Sequence, residues 1–311
     1  MLEDSLNHNG AVDPHPVRDD ELRMMFTCAH PALEHTSQLA LTLRLVSGLA
    51  VAELAHALLQ SETAVGQRIT RAKHKIRNAN IPFRLPPAEL LPQRTPHVLA
   101  CIYSVFSAGY WSTGEPSAIR DELCTLMPTE LDAHALAALV LLHDSRRSTR
   151  VDGSGALVPL DEQDRGRWDR DRMDRGLRRL RWPRARPGRL PQAVVTAAHA
   201  TALTWEQTDW HLICAAYDKL LATTDSPVVR SNRTLAIGFR DGMAAGLSAL
   251  DQVADDPRLA RSNLAPTVRA DMLRRAGRYR EAASWYRKAL EANTSEPGRA
   301  FLLRRVAECE R

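Results

Sequence analysis

The sequence is 311 residues long, carries a net charge of +5 at pH 7, and contains 44% hydrophobic but only 5% aromatic residues. This length suffices for two or three hydrophobic cores, and the abundance of Leu, Ala and Arg favours helices over strands, so the sequence predicts an all-α protein. The composition excludes a peptide-sized module, and no apolar run reaches the roughly 18 residues of a membrane-spanning helix.

The five cysteines are odd in number, widely scattered and contain no Cys-x-x-Cys pair. This arrangement indicates neither a disulfide framework nor a zinc site, and it is typical of a reducing compartment. The polar start of the chain lacks the apolar stretch of a signal peptide. We therefore expect a soluble, cytoplasmic protein that needs no cofactor and does not bind membranes.

Residues 1–18 are rich in Asn, Asp, His and Pro, and such a segment cannot bury enough apolar surface to fold alone. We expect a disordered leader there. From Asp19 the apolar spacing becomes helical, with a break at Pro31 and a helix end near Gly48.

Cys28, His30 and His35 resemble a set of metal ligands. No fourth ligand lies at a suitable spacing, and Pro31 interrupts the helix that would present them. We therefore predict a buried thiol and a capping histidine in place of a metal site.

Residues 49–78 have the pattern of a helix, a tight turn and a second, basic helix. The first segment places four apolar residues on one helical face: Val51, Leu54, Ala55 and Leu58. The second segment repeats this spacing: Val65, Ile69, Ala72 and Ile76. Between them Ser61 is suited to cap the second helix through its hydroxyl. The pattern predicts a helix-turn-helix within a DNA-binding domain at residues 19–80.

The second helix supplies the candidate DNA contacts. In helix-turn-helix proteins its early turns enter the major groove. The candidates to face base edges, next to the capping Ser61, are Thr63, Ala64, Gln67 and Arg68. The candidates to contact phosphates are Arg71, Lys73, Lys75 and Arg77. The alternative is an ordinary helical hairpin whose basic face is solvated.

Residues 81–96 contain five prolines and predict a semi-extended linker that ends the first domain. Residues 97–185 then predict an α-helical extension. It begins with a buried helix in HVLACIYSVFS and continues with an amphipathic pair at 116–126 and 131–143.

The second unusual stretch lies at residues 150–175. Its Asp-Gly-Ser-Gly turn predicts a small β-hairpin, and residues 161–170 then alternate in charge around Trp168. One interpretation is an exposed, salt-bridged helix with Trp168 docked on the core. The other is a recognition patch anchored by Trp168 and Arg165, two residue types enriched at interface hot spots. An enzyme built around His143, Asp144 and Asp164 is a third, weaker hypothesis, because no tuned apolar pocket is evident.

Residues 178–189 are basic and broken by prolines, which is typical of a solvated linker. From there residues 186–311 predict a series of helical hairpins. Five residues match, in order and spacing, the second half of a tetratricopeptide unit: Gly277, Tyr279, Ala282, Tyr286 and Ala289. Gly242 precedes Gly277 by 35 positions, close to the period of that repeat. The alternative is an unrelated stack of α-hairpins with a concave face.

Taken together, these motifs resemble the region-4 segment and long C-terminal extension of bacterial extracytoplasmic-function RNA polymerase sigma factors. The resemblance covers residues 19–311. It is specific because three motifs follow in the expected order: the helix-turn-helix, the Gln-Asp-Arg-x-x-Trp run and the tetratricopeptide-like tail. It implies that the basic helix reads the −35 promoter element in duplex DNA while the chain is bound to RNA polymerase core. Gly66 departs from the basic residue that many sigma factors place there, which removes one phosphate contact.

The resemblance also assigns importance to the extension. It implies that Gln163, Asp164, Arg165 and Trp168 act through protein contacts. A further hypothesis is an interaction scaffold, in which the tetratricopeptide-like tail recruits a regulatory protein or keeps the DNA-binding half silent.

Such sigma factors carry a helical region 2 ahead of region 4, and it makes the main polymerase contact and melts the −10 element. Only eighteen residues precede Asp19 here. We therefore expect either a piece of a longer sigma factor or a chain that binds a promoter without opening it.

Overall fold

The structure, a computed structural model, describes residues 20–46, 48–58, 60–81, 86–107, 130–180, 190–260, 262–292 and 296–311. Within these ranges the chain forms fourteen α-helices, four short 3-10 turns and one isolated β-bridge. The predicted all-α class is confirmed. The predicted leader, the helix expected at 116–126 and most of the linker expected at 178–189 lie outside the described residues. No helix in the described ranges is both long and apolar enough to pass through a bilayer.

The chain divides into two compact units. One consists of Met1–Leu49 and Gln67–Leu126, and the other of Ala50–Gly66 and Met127–Arg311. The first unit therefore contains the segment at 81–96 that we expected to be a boundary.

In the first unit, helices α1 (Asp20–Cys28), α2 (His35–Leu45) and α5 (Leu91–Ser107) pack against one another. Their contacts bury a set of apolar side chains that includes Leu22, Met25, Phe26, Leu41, Leu43, Val98 and Leu99. Cys28 is buried as predicted. Nδ1 of His30 accepts a hydrogen bond from the Ala32 N–H at 3.2 Å within the turn before α2, whose N-cap is Glu34, so His30 stabilises a turn and does not cap a helix.

The expectation of a semi-extended linker is wrong from Ala88 onward. A 3-10 turn at Ala88–Leu90 leads directly into α5, which contains Pro96 in its second turn. The helix tolerates the lost N–H because packing holds its buried face, where the Thr95 hydroxyl donates to the Leu91 carbonyl at 2.9 Å.

The predicted helix-turn-helix segments form helices α3 (Val51–Ala57) and α4 (Glu62–Asn78). Before α3, Gly48 has a φ of +67°, which suits glycine and ends α2 as predicted. Before α4, Oγ of Ser61 accepts a hydrogen bond from the Ala64 N–H at 3.2 Å. The predicted N-cap is therefore confirmed.

The second unit continues with α6 (Leu131–Asp144) and α7 (Arg170–Leu180), which pack against each other. Between them the predicted β-hairpin is reduced to a single antiparallel bridge between Val151 and Leu157. The Asp152 carboxylate stabilises this turn by accepting from the N–H groups of Ser154 and Ala156.

The remaining helices follow one another along the chain, and each packs on the next. They are α8 (Leu190–Thr201), α9 (Trp210–Leu221), α10 (Pro227–Asp241), α11 (Met243–Asp251), α12 (Leu264–Arg275), α13 (Tyr279–Leu290) and α14 (Glu296–Cys309). Gly277, with a φ of +75°, forms the turn between α12 and α13. Ala282, Tyr286 and Ala289 are buried, as the repeat pattern predicts for interlocking positions, whereas Tyr279 is 54% exposed.

Helices α10 and α11 approach each other closely through two glycines. A Cβ added at Gly246 would lie 2.8 Å from Cα of Gly238 and 2.9 Å from the Thr234 carbonyl oxygen. Both are backbone atoms, so the helices would have to separate to admit a methyl group.

We therefore expect Gly246→Ala to lower the free energy of unfolding by about 1–3 kcal/mol through overpacking. Urea denaturation followed by circular dichroism measures this change. The matched control is Gly66→Ala, a helical position with no atom within 4 Å of the added Cβ, where the substitution should stabilise by up to ~1 kcal/mol. Equal effects of the two variants would contradict the close approach.

Candidate functional site

Helix α4 separates an apolar from a basic face. Val65, Ile69 and Ala72 are buried. The predicted DNA-contacting side chains that are exposed are Thr63, Gln67, Arg71, Lys73, Lys75 and Arg77. The helix carries five Arg or Lys residues and one acidic residue, Glu62, in its first turn. The exposed face is therefore strongly positive and suited to contact a polyanion.

Three predicted DNA-binding residues are placed differently from the others. Ser61 and Ala64 are half-buried at the helix N-terminus, where they form the cap. Arg68 forms an ion pair with Glu34, with 2.8 Å between Nη1 and Oε2, and its side chain is only 20% exposed. The guanidinium of Arg68 is therefore already paired within the first unit.

The charged segment at residues 161–169 forms turns and a 3-10 turn at Arg165–Arg167. The predicted exposed, salt-bridged helix is therefore wrong at these residues, whereas the predicted docking of Trp168 on the core is correct. Trp168 is 4% exposed, and its Nε1–H donates to Oγ1 of Thr149 at 3.1 Å. Asp164 is exposed and caps the 3-10 turn by accepting from the Gly166 N–H.

Arg165 turns inward and closes the C-terminal end of α8. Its Nη1 donates to the carbonyl oxygens of His199 at 2.6 Å and Ala202 at 2.7 Å, which no intrahelical N–H can reach. Its guanidinium also lies 4.9 Å from the centre of the Trp168 ring. Positive charge at a helix C-terminus is favourable, so this contact stabilises the inward orientation of the Arg165 side chain.

The other predicted interaction residue, Gln163, is also buried, and its Nε2 donates to the Val158 carbonyl at 2.9 Å. The acidic residues of the segment extend the same intramolecular contacts. Asp161 pairs with Arg275 at 2.6 Å, and Glu162 pairs with Arg304 at 3.1 Å and with Arg305. The contacts of Gln163, Arg165 and Trp168 are thus made within the second unit, and their predicted role toward another protein stays a prediction.

The residues of the enzyme hypothesis make separate structural contacts. Asp144 pairs with Arg147 at 2.6 Å and with Arg172, and Asp164 caps a turn. Nδ1 of His143 lies 2.9 Å from Nη2 of Arg146. Two of the cavities in the described part of the second unit are relevant here, and none of the three residues lines either of them.

One of these cavities has a volume of about 300 Å³ and an aromatic wall that sequence reasoning missed. Trp210 and Phe239 stack with their ring centres 4.3 Å apart, and Trp205 contacts both rings. Asp161 and Arg275 provide opposite charges at the same cavity. The only signal in the sequence is the short spacing of Trp205 and Trp210, and the third ring comes from a different helix.

His199 contacts this aromatic wall. Its ring stacks on Trp205 with centres 5.6 Å apart. Burial, followed by the positive charges of Arg146 and Arg165, lowers the pKa of His199 to about 4. The imidazole is therefore neutral at physiological pH.

Comparison with known proteins places the chain in a family. It is 37% identical to an uncharacterized protein of Rhizobium meliloti (strain 1021) over 306 residues, which cover 94% of this chain and 72% of that protein. The chain belongs to the same family as this protein. Residues 94–183 also match DUF6596, a family of unknown function. No solved structure matches the chain.

The family segment at 94–183 contains the Pro-bearing helix α5, helix α6, the arginine-rich turn after α6 and the inward-facing Arg165 and Trp168. Of these elements, α5 lies in the first unit and the others lie in the second. In the second unit the match covers the contacts that join residues 145–169 to the helices around them.

We expect the stability of the protein to fall as the pH drops from about 6.5 toward 4. The folded pKa of His199 lies below its ordinary value of 6.5, so the unfolded chain takes up the proton first. The stabilisation is complete above pH 6.5 and is lost on acidification, by up to about 3 kcal/mol at the lower end.

His199→Gln removes this titration, and urea denaturation at pH 7.0 and 4.5 measures the difference. Burial also lowers the pKa of His143 well below its usual range, so a smaller pH dependence should remain in the variant. Identical pH profiles for the two proteins would contradict the burial of a neutral His199.

Proposed function

We propose that this chain is a transcription initiation protein of the extracytoplasmic-function sigma type, acting in the cytoplasm with RNA polymerase core. Helix α4 reads the −35 promoter element in duplex DNA. The observation that carries the proposal is the division of α4 into a buried apolar face and an exposed basic face, after a Ser61 cap. The proposal includes no enzymatic step and no cofactor.

The two classes of DNA contact follow from position along α4. Thr63 and Gln67 are exposed in the first turns, where a helix-turn-helix protein meets base edges. Lys73, Lys75 and Arg77 are exposed in the later turns, where positive charge suits the phosphate backbone. The early residues would provide sequence choice and the later ones most of the affinity.

A second candidate function is capture of an acidic segment of a regulatory protein by α12 and α14. The specific observation is that the chain's own acidic segment lies there, with Asp161 paired to Arg275 and Glu162 paired to Arg304. A partner with a similar acidic segment would compete for these arginines.

Arg71→Ala should weaken binding to duplex DNA by a similar factor on every sequence, because a phosphate contact carries no sequence choice. It should also reduce the slope of log affinity against log salt by about 1. Fluorescence anisotropy with three unrelated labelled duplexes, at several salt concentrations, measures both quantities.

Gln67→Ala should instead weaken binding to a duplex selected from a random pool more than to unselected duplexes. For Arg71→Ala, the matched control is Lys219→Ala, which removes one exposed positive charge from α9. If Arg68→Ala and Arg71→Ala leave the affinity at low salt unchanged, α4 does not read DNA.

Glu34→Gln should raise DNA affinity by a few-fold. The wild-type carboxylate holds Arg68 at 2.8 Å and neutralises it, and breaking an exposed pair of this kind costs roughly 0–1 kcal/mol. The effect should vanish in a background that also carries Arg68→Ala. A gain that persists without Arg68 would show that Glu34 acts only through general repulsion of the phosphates.

A further inference from the structure

The turn after α6 carries three arginines with different environments. Arg147 pairs with Asp144 at 2.6 Å. Arg146 and Arg150, by contrast, form no ion pair with any carboxylate in the described part of the chain. Both side chains contact His143: Nη2 of Arg146 lies 2.9 Å from its Nδ1, and Nη2 of Arg150 donates to its carbonyl at 2.6 Å.

These two guanidiniums are partly withdrawn from water. Nε of Arg146 is buried and has no hydrogen-bond partner among the described residues. Burial, followed by the positive charges of Arg150 and Arg165, lowers the pKa of Arg146 to about 10. Buried charges in proteins are normally paired, so these guanidinium groups, which have no carboxylate partner in the described part of the chain, favour the binding of an anion.

Arg146 and Arg150 are among the residues that line a cavity of about 310 Å³ within the second unit. Gln163 also lines this cavity, and the lining includes three apolar residues: Leu157, Leu160 and Phe301. Leu157 is 41% exposed, which places an apolar side chain where solvent and cavity meet. The cavity thus combines two unneutralised cations with an apolar wall.

We propose that this cavity binds a small organic monocarboxylate. The carboxylate would accept hydrogen bonds from Arg146 and Arg150, because guanidinium groups match the planar geometry of a carboxylate. A short apolar body would lie against Leu157 and Phe301. Inorganic phosphate fits this site less well, because it would leave the apolar wall in contact with water. The proposal is independent of DNA binding by α4.

Ligand binding at this site would also affect the acidic segment that contains Asp161 and Glu162. The cavity wall at Leu157 and Leu160 directly precedes Asp161 and Glu162, which pair with arginines of α12 and α14. A bound carboxylate would therefore stabilise the path of this segment across the second unit.

The test uses the full-length protein and isothermal titration calorimetry with octanoate and benzoate as probes. Their uncharged counterparts, octanol and benzyl alcohol, and inorganic phosphate are the comparison ligands. We expect binding of at least one carboxylate, and at least tenfold weaker binding of its alcohol, since a charge-assisted hydrogen bond contributes about 1.5–3 kcal/mol.

Arg146→Gln and Arg150→Gln should each weaken carboxylate binding by about tenfold or more. Arg147→Gln is the matched control, because it removes a neighbouring arginine that is already paired with Asp144, and it should leave binding unchanged. In the ligand-free protein, Arg146→Gln should not lower the thermal midpoint, because it removes a buried charge without a counterion.

Three outcomes would overturn the proposal. They are equal binding of acids and alcohols, binding of phosphate alone, and equal losses in the Arg146→Gln and Arg147→Gln variants. If circular dichroism shows that either glutamine variant does not fold, two measurements still test the proposal. They are carboxylate binding by the other variant and the ratio of acid to alcohol affinity in the wild-type protein.

Discussion

The contacts of Arg165 join the charged segment to the C-terminal end of α8 within the second unit. Its guanidinium closes the C-terminal end of α8 through the carbonyls of His199 and Ala202, and it lies over the ring of Trp168. These two carbonyls, which lack an intrahelical partner, thereby accept hydrogen bonds, and the guanidinium covers one face of the tryptophan ring. The acidic residues before Arg165 pair with arginines of α12 and α14, so these ion pairs and the Arg165 contacts together hold the charged segment.

Arginines in this unit fall into two electrostatic classes. Arg275 and Arg304 pair with carboxylates of the charged segment, so their charges are compensated where they lie. Arg146 and Arg150 lie at a cavity with no such compensation, and the neutral His199 nearby does not add to the positive charge. The contrast between compensated and uncompensated cations distinguishes structural contacts from a place that suits an external anion.

The DNA-binding proposal depends on a simpler separation. Helix α4 buries Val65 and Ile69 and presents its basic residues to solvent, which is the arrangement that a groove-reading helix needs. The Glu34–Arg68 pair adds a competitor for the phosphate or base edge that Arg68 would otherwise contact. Under the DNA-binding proposal, a carboxylate outside the helix would therefore lower the DNA affinity of α4.

The sequence by itself determined the features that depend on neighbours along the chain. Apolar spacing predicted the helical class, and local chemistry predicted the Ser61 cap and the turn at Gly277, because hydroxyl caps and positive φ values are properties of a few consecutive residues. Only the tertiary structure decided that a helix starts at Leu91 despite the prolines and that Arg165 and Trp168 point inward. Their partners lie tens of residues away in the sequence, and packing against those partners outweighs local propensity.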